Sequence, residues 1–585
     1  MCSSSLISAR SDRYVLPVIG LLLLAGVAIR AALMPLVHDE AASLFWYVDR
    51  NEFLPYLSLW DANNHYLNSA FGILVTKLFG EHLLSIRLLS VLAYSGFIWA
   101  AYRCVLTING LLIRWCVLAA LVLCPFVIDL FSLFRGYGPM LAFWMLALER
   151  MIAFERSGDR RTIFWMWVFI LLANASVLTI LPVSLLLFVS VLKPMLRSSS
   201  NEMAKWSRFG IATMAASGLS IGLLLSWELK RRGLLYHGST EGLIKVTVMP
   251  LVELLFGSDD RWSVGIVMLA GGMAAISAIR SSSWSRRVCG TLFLGDLLLR
   301  IPAAIFFDVN YPEDRAAVHL VPLFILLIGW MLDGTDRSFI KVRSASLVLL
   351  ILPLRSLWSI DPLHTSLWPE QAVPVEWLRT ISDEQKKLSR PLVLGTYHQL
   401  QLNVPYLARI HGIDLPLAET EDFPHAPADL YIVDHRYRDH FMDDEILLEN
   451  DHLSLVRRPL DLELIAEHRP EMQGSAAIFE LLNERQLSDA KGAFLEISCI
   501  IDCSDRLADI HFIVLHGDEQ VPKYENGRSP RLIRPYWHNE RSVVMKWMGP
   551  QIVKPRLVLW DPLSVQCDVD DLTIRVYRPR PARGH

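Results

Sequence analysis

Several things are scarce in these 585 residues, and each scarcity removes a class of function. Charge of one sign is not in excess: 56 Lys and Arg face 59 Asp and Glu, for a net charge of -3. No global basic field therefore argues for a nucleic-acid partner. Cysteine is sparse, with eight residues. Cys104, Cys116, Cys124 and Cys289 lie in or beside apolar runs, where Cys serves as a small apolar side chain. Cys499, Cys503 and Cys567 lie in the polar C-terminal half, where one disulfide among the three would suit an oxidising compartment. Cys499 and Cys503 have the spacing of half a zinc site, but no matching second pair exists, so zinc is not expected. There is no glycine-rich phosphate loop of the kind that cradles a nucleotide, which argues against a nucleotide site. There is also no internal repeat of the kind common in secondary transporters.

Long hydrophobic runs are abundant in one half only. The chain is 53% hydrophobic, a little above the ~45–50% of soluble domains, so the distribution decides the class. Residues 14–358 hold one apolar run after another, while 359–585 read as ordinary globular sequence. About eleven spans of roughly 20 residues are expected, the length that a ~30 Å hydrocarbon core requires. They lie near 14–37, 86–103, 115–132, 137–150, 162–175, 177–192, 209–228, 263–280, 288–307, 316–332 and 344–358. Arg10 and Arg13 precede the first run as in a signal peptide, but the run is too long and no small-x-small cleavage site follows. It reads as a retained helix.

Lys and Arg set the expected orientation. With the N-terminus inside, the inner loops carry 18 Lys and Arg in 72 residues, against 9 in 101 for the outer loops. An odd number of spans then places the soluble half outside the cytoplasm. The expected domains are 1–358, a helical membrane domain; 359–465, an α/β layer in which helix and strand patterns alternate; and 470–585, a strand-rich β-sandwich of jelly-roll type. Trp537, Trp547 and Trp560 serve either as sandwich core or as an aromatic sugar platform. Two outer loops, 38–82 and 229–262, hold semi-apolar stretches (Tyr66–Phe79 and Leu243–Phe256) suited to lie at the membrane surface and shelter a lipid.

The chemistry is concentrated where the first apolar run ends, at His38-Asp39-Glu40. Carboxylates there are costly unless they face water or a cavity. They read either as a solvated helix end or as a catalytic pair, one taking a proton and the other positioning it. Two close carboxylates push one pKa upward, which suits a base. A second polar cluster follows at Trp60-Asp61-Ala62-Asn63-Asn64-His65-Tyr66.

Taken in order, Asp39-Glu40, Asn64-His65, Phe79-Gly80, Arg87-Leu88-Leu89-Ser90 and then Leu133-Phe134-Arg135-Gly136-Tyr137-Gly138 resemble the opening of the GT-C superfamily of membrane glycosyltransferases. That superfamily includes protein O-mannosyltransferases, lipid A aminoarabinose transferases and rhizobial galacturonosyltransferases. The resemblance spans roughly 1–330 in topology and 35–145 in motif. One departure is that the prolines the family places after its histidine are replaced by Tyr66-Leu67.

The resemblance implies an integral protein of the bacterial inner membrane with its site on the outer side. The donor it implies is a polyprenyl-phosphate sugar, and the acceptor a glycan or glycolipid. The acceptor hydroxyl would attack the anomeric carbon in a single displacement, with Asp39 and Glu40 as the catalytic carboxylates. Asp61, Asn64, His65, Arg87, Arg135, Tyr137, Arg231, Arg232, Tyr311 and Arg315 would bind substrate, the cations offsetting charge on the leaving phosphate. Arg231 and Arg232 read equally as head-group anchors, and Arg315 as a partner of Glu313 and Asp314. Asp129 and Asp296, inside spans, read as structural ion pairs. No cofactor or metal is expected: a monophosphate donor demands less of a divalent cation, and neither Asp259-Asp260 nor Glu313-Asp314 forms an oxygen cage alone. The rival readings are a transporter or flippase, and a catalytically silent scaffold of polysaccharide assembly.

Overall fold

The computed structural model describes residues 3–197, 202–235, 237–334, 344–413, 415, 418–419, 423–470, 478–503, 511–517, 523–528, 540–560 and 567–580. The chain divides into two compact units. One is Met1–Met34 with Asn51–Leu367, and the other is Pro35–Arg50 with Trp368–His585.

The first unit is helical. It comprises α1 (Ser3–Leu33), α3 (Tyr66–Phe79), α4 (Leu83–Ile86), α5 (Leu88–Val105), α6 (Leu111–Val122), α7 (Pro125–Phe131), α8 (Tyr137–Ser157) and α9 (Arg160–Ser176). These are followed by α10 (Leu181–Arg197), α11 (Glu202–Arg231), α12 (Met249–Phe256), α13 (Arg261–Ile279), α14 (Trp284–Phe307), α15 (Leu320–Asp333) and α16 (Ile351–Ser359). Helix therefore stands at each of the eleven places where a span is expected. Among the described residues, five stretches are long and apolar enough to cross a bilayer: Leu88–Val105, Leu178–Met195, Ser207–Arg231, Arg261–Ile279 and Trp284–Phe307. The number is seven if the helices on either side of Pro35 and of Cys124 are each taken as one span. α6 and α7 bend by 47° at their break, as expected where Pro125 removes a backbone donor. The first helix ends at Leu33, because Pro35 disfavours helical backbone at the residue before it.

One continuous apolar core runs through this unit, with Phe97, Phe131, Trp144 and Trp167 among its largest buried side chains. Two groups of charge inside it are paired, as suits a low-dielectric interior. Arg30 pairs with Asp129 and donates to the carbonyls of Asp361 (2.8 Å) and His364 (2.7 Å). Arg300 grips Asp296 with two bonds of 2.9 and 3.1 Å, and His319 Nε2 lies 3.1 Å from the same carboxylate.

The second unit opens with α2 (His38–Ser43), which continues as a π-helical turn over Leu44–Val48. After α17 (Val375–Lys387), a five-stranded sheet has the order β2-β1-β3-β5-β4, formed by β1 (Leu394–Thr396), β2 (Ala418–Glu419), β3 (Leu430–Asp434), β4 (Glu445–Glu449) and β5 (Leu453–Arg457). β1 runs parallel to both β2 and β3, and α18 (Asn403–Ile410) makes the β1-to-β2 crossover. β5 is antiparallel to both β3 and β4.

Two four-stranded antiparallel sheets follow. They are built from β6 (Leu462–His468), β7 (Ile478–Leu482), β8 (Ala493–Cys503), β9 (His511–His516), β10 (Lys523–Arg528), β11 (Glu540–Met548), β12 (Arg556–Trp560) and β13 (Cys567–Pro579), in the orders β10-β9-β12-β7 and β11-β8-β13-β6. The period of two along β8 explains how they pack. Leu495, Ile497, Cys499 and Ile501 enter the core shared with Phe512, Val514, Leu557 and Leu559. Phe494, on the opposite face, joins Val393, Tyr431, Val433 and Val456 of the α/β layer. Trp547 lies against Phe494 at 4.8 Å and Trp560 is partly exposed, while Trp537 lies outside the described residues. The side chains of Cys503 and Cys567, two of the three candidates for a disulfide, also lie outside them.

Candidate active site

In the helical unit the site is assembled on the turn between α7 and α8, at Phe134-Arg135-Gly136-Tyr137-Gly138. This turn must pass close to the start of α3. A Cβ on Gly136 would collide first with the Ser176 carbonyl and would stand 2.8 Å from His65 Cγ, and a Cβ on Gly138 would stand 2.7 Å from the carbonyl of Leu130. Real Cβ atoms do not approach so closely, so both glycines are dictated by packing. The approach sets the His65 ring edge-on to Tyr137, with centroids 5.2 Å apart.

Around that ring two cations converge. The Arg135 guanidinium lies 5.8 Å from the centroid of Tyr137, and the Arg315 guanidinium 6.0 Å from the same centroid. Arg135 is buried and donates from Nη1 to Asn63 Oδ1. The loop that delivers Asn63 is held by its own side chains. Asp61 Oδ1 accepts from the Asn63 amide at 2.6 Å, a turn that Asp favours. Asn64 Nδ2 donates to the Phe53 carbonyl at 3.0 Å, and Asn64 Oδ1 accepts from Ser69 Oγ at 3.1 Å.

Arg315 sits in a 3₁₀ turn, Asp314–Ala317, just before α15. Asp314 has φ +47°, a left-handed conformation that is uncommon for a residue with a side chain. Its carboxyl is pushed above the usual range by burial and by neighbouring Glu313. The loop that leads into this turn is fastened to the loop after α11. The Tyr311 amide donates to the Ser239 carbonyl at 2.9 Å, and Thr247 Oγ1 donates to the Pro312 carbonyl at 2.7 Å. Asn310 Nδ2 donates to the carbonyls of Leu235 (3.1 Å) and Gly238 (3.0 Å). Tyr311 itself is buried against Val246 and Ala304.

The structure thus brings His65, Arg135, Tyr137 and Arg315 together, with Asp61 and Asn64 as supports. Arg231 and Arg232 are engaged with Glu228 at 2.6–2.9 Å, and Arg232 also lies over the ring of Trp60 at 4.8 Å. Arg87 is fully buried. Its Nη1 donates to the carbonyls of Ala31 (2.9 Å) and Met34 (2.6 Å), satisfying the end of α1, whose last carbonyls lack helical partners. Asn63 is the residue that the sequence did not single out. It belongs to the polar cluster read from the sequence but not to the residues expected to bind substrate, and only the fold reveals that it reaches Arg135.

The acid pair belongs to the other unit, in the first turn of α2. Glu40 is fully buried, and its Oε2 accepts from the Val37 amide at 3.1 Å. That bond satisfies an orphan amide at the helix start. Asp39 is half-buried, and its carbonyl accepts from Ser43 Oγ at 2.9 Å. The two carboxylates therefore occupy different environments, one closed and one partly open. Further along, Asp49 is gripped by Arg409 through bonds of 2.9 and 3.1 Å.

Among the described residues no group of three or more His, Cys, Asp or Glu side chains is placed to hold a metal ion.

No family model matches the sequence, and no curated protein does. Solved structures do show likeness. ArnT from Cupriavidus metallidurans in the apo state is 12% identical with a TM-score of 0.45, the match covering 77% of this chain and 98% of that one. The same protein bound to undecaprenyl phosphate is 11% identical with a TM-score of 0.44 and the same coverage. Arabinosyltransferase EmbB from Mycobacterium smegmatis is 11% identical with a TM-score of 0.39, the match covering 96% of this chain and 64% of that one.

Proposed function

We propose that this protein is a membrane glycosyltransferase that moves a monosaccharide from a polyprenyl-phosphate donor to an extracytoplasmic glycan or glycolipid acceptor. The observation that carries the reading is the convergence of Arg135 and Arg315 on the ring of Tyr137. Two guanidiniums held about one ring, one of them buried, suit a group on which negative charge develops. A phosphate that departs from a sugar is such a group.

The reaction in this reading is a single displacement. The acceptor oxygen bonds to the anomeric carbon as the bond from that carbon to the phosphate oxygen breaks. The pair of electrons leaves with the phosphate monoester, which Arg135 and Arg315 receive. The acceptor proton passes to the Asp39 carboxylate. Help of this acid-base kind contributes typically ~10²–10⁴-fold. Glu40, closed into the start of α2, keeps that turn in place. His65 and Tyr137 line the cation cluster, Asp61 and Asn64 hold its loop, and Tyr311 holds the loop of Arg315. Arg231 and Arg232 are outer cations for the donor's phosphate head. We further propose eleven spans with the N-terminus in the cytoplasm, the site and soluble domains outside it, and domain limits at 1–358, 359–465 and 470–585.

The test is transfer in proteoliposomes from a panel of labelled polyprenyl-phosphate sugars. Release of free polyprenyl phosphate, dependent on added acceptor, is expected for at least one donor. Translocation of the lipid without cleavage would instead support a flippase.

A further inference from the structure

The crevice of an open α/β sheet lies outside the carboxyl ends of its parallel strands, where connections depart to opposite sides. Here that switch point falls between β1 and β3, since β2 and β3 flank β1. In most such sheets a ligand occupies it. In this chain the residues just beyond β1 hold the protein's own acid-bearing segment. Gln399, three residues after the end of β1, accepts through its carbonyl from His38 Nδ1 at 3.1 Å. Asn403, the first residue of the crossover helix α18, donates from Nδ2 to the Leu36 carbonyl at 3.2 Å and to the Gln371 carbonyl at 3.0 Å. Gln371 in turn accepts, through Oε1, the amide of His38 at 2.8 Å.

These anchors are built, not incidental. Asn403 is 2% exposed and Gln371 4%. Their amide side chains sit more than 330 residues along the chain from the segment they hold. A buried amide that loses its partner is left unsatisfied away from water, which is unfavourable, so the arrangement resists slipping. The bonds fall on Leu36 and His38, immediately ahead of Asp39, and so fix the backbone from which its carboxylate projects.

We propose that Gln371 and Asn403 are positioning residues for Asp39, which makes the α/β layer part of the catalytic apparatus. The inference rests on the reading of Asp39 as the base. A misplacement of ~1 Å can cost ~10²-fold in rate.

The experiment uses the full chain in nanodiscs, with Gln371→Leu, Asn403→Leu, Gln371→Glu, Asp39→Asn and the pair Asp39→Asn with Gln371→Leu. Two quantities are read: hydrogen exchange of the amides from Val37 to Ala41, and turnover of the labelled polyprenyl-phosphate sugar panel. Gln371→Leu and Asn403→Leu are expected to speed exchange at His38 at least tenfold. They should also lower kcat about 10–100-fold with donor KM within twofold. Gln371→Glu keeps an acceptor for the His38 amide, so protection should stay. Turnover should be kept along with it, a rescue by the conservative variant that a general loss of stability at this position would not predict. Gln371→Leu should cost nothing more in an Asp39→Asn background.

Faster exchange with unchanged kcat, or lower kcat with unchanged exchange, overturns the inference while leaving the base reading intact. Full activity of Asp39→Asn overturns the base reading itself, and the inference with it. If no variant and no wild type turns over the panel, the transferase reading fails. Unchanged exchange then overturns the anchoring as well.

Discussion

Gly136 lies so close to His65 that a single added methyl, already jammed against the Ser176 carbonyl, would stand 2.8 Å from the imidazole Cγ. The absence of a side chain at one residue thus fixes the place of a ring at another. Gly136→Ala should therefore lower the thermal midpoint, at a cost of about 1–3 kcal/mol for overpacking. It should also reduce kcat/KM more than its stability effect explains, because the turn that carries Arg135 and Tyr137 must shift against Ser176 and His65. Differential scanning fluorimetry beside steady-state kinetics separates the two.

The cation cluster makes a graded prediction. Arg135→Gln and Arg315→Gln should each weaken binding of polyprenyl phosphate about 10–100-fold, since a hydrogen bond to a charged group contributes about 1.5–3 kcal/mol. Arg315→Lys should retain part of the affinity, because an ammonium keeps the charge but loses the planar fork. Equilibrium binding in nanodiscs at two salt concentrations checks both.

Asp314 predicts a pH dependence of stability. Its carboxyl is raised by burial and by Glu313. A raised acid favours the folded state only while protonated, so this stabilisation is present below the unfolded value near ~3.9. It is lost as pH rises through the folded value. Asp314→Asn removes the charge and suits φ +47° at that position. The variant should melt above wild type at pH 7, with the gap closing toward pH 3. Thermal melts across that range decide it.

The Asp49–Arg409 pair, with both partners almost wholly buried, anchors the far end of the 35–50 segment. Arg409→Met leaves a buried carboxylate behind and should destabilise the second unit by about 3–5 kcal/mol. The double change Asp49→Leu with Arg409→Met should recover most of the loss. Chemical denaturation of the full chain in detergent measures both.

What was legible in the sequence was local. Apolar runs marked the long helices of the first unit, because burial in lipid or core leaves a long uninterrupted pattern. The stretch Phe134–Gly138 was visible because its arginine, tyrosine and glycines are adjacent. What was not legible depends on distance along the chain. No periodicity announces that residues 35–50 fold with 368–585, or that Asn403 bonds the Leu36 carbonyl. Arg87 shows the same gap from the other side. That this arginine would close the carbonyls at the end of α1 could not be read from the residues around it. The separate environments of Asp39 and Glu40 were hidden too, because adjacent acids differ only once the backbone turns between them.

The central claim is that Asp39 takes the acceptor proton. The most direct measurement is release of polyprenyl phosphate in proteoliposomes by wild type, Asp39→Asn and Glu40→Gln, each first shown to be folded by its thermal midpoint. The account predicts that Asp39→Asn loses about 10²–10⁴-fold in kcat, while Glu40→Gln, which keeps an acceptor for the Val37 amide, retains a substantial fraction. Wild-type turnover by folded Asp39→Asn would contradict it.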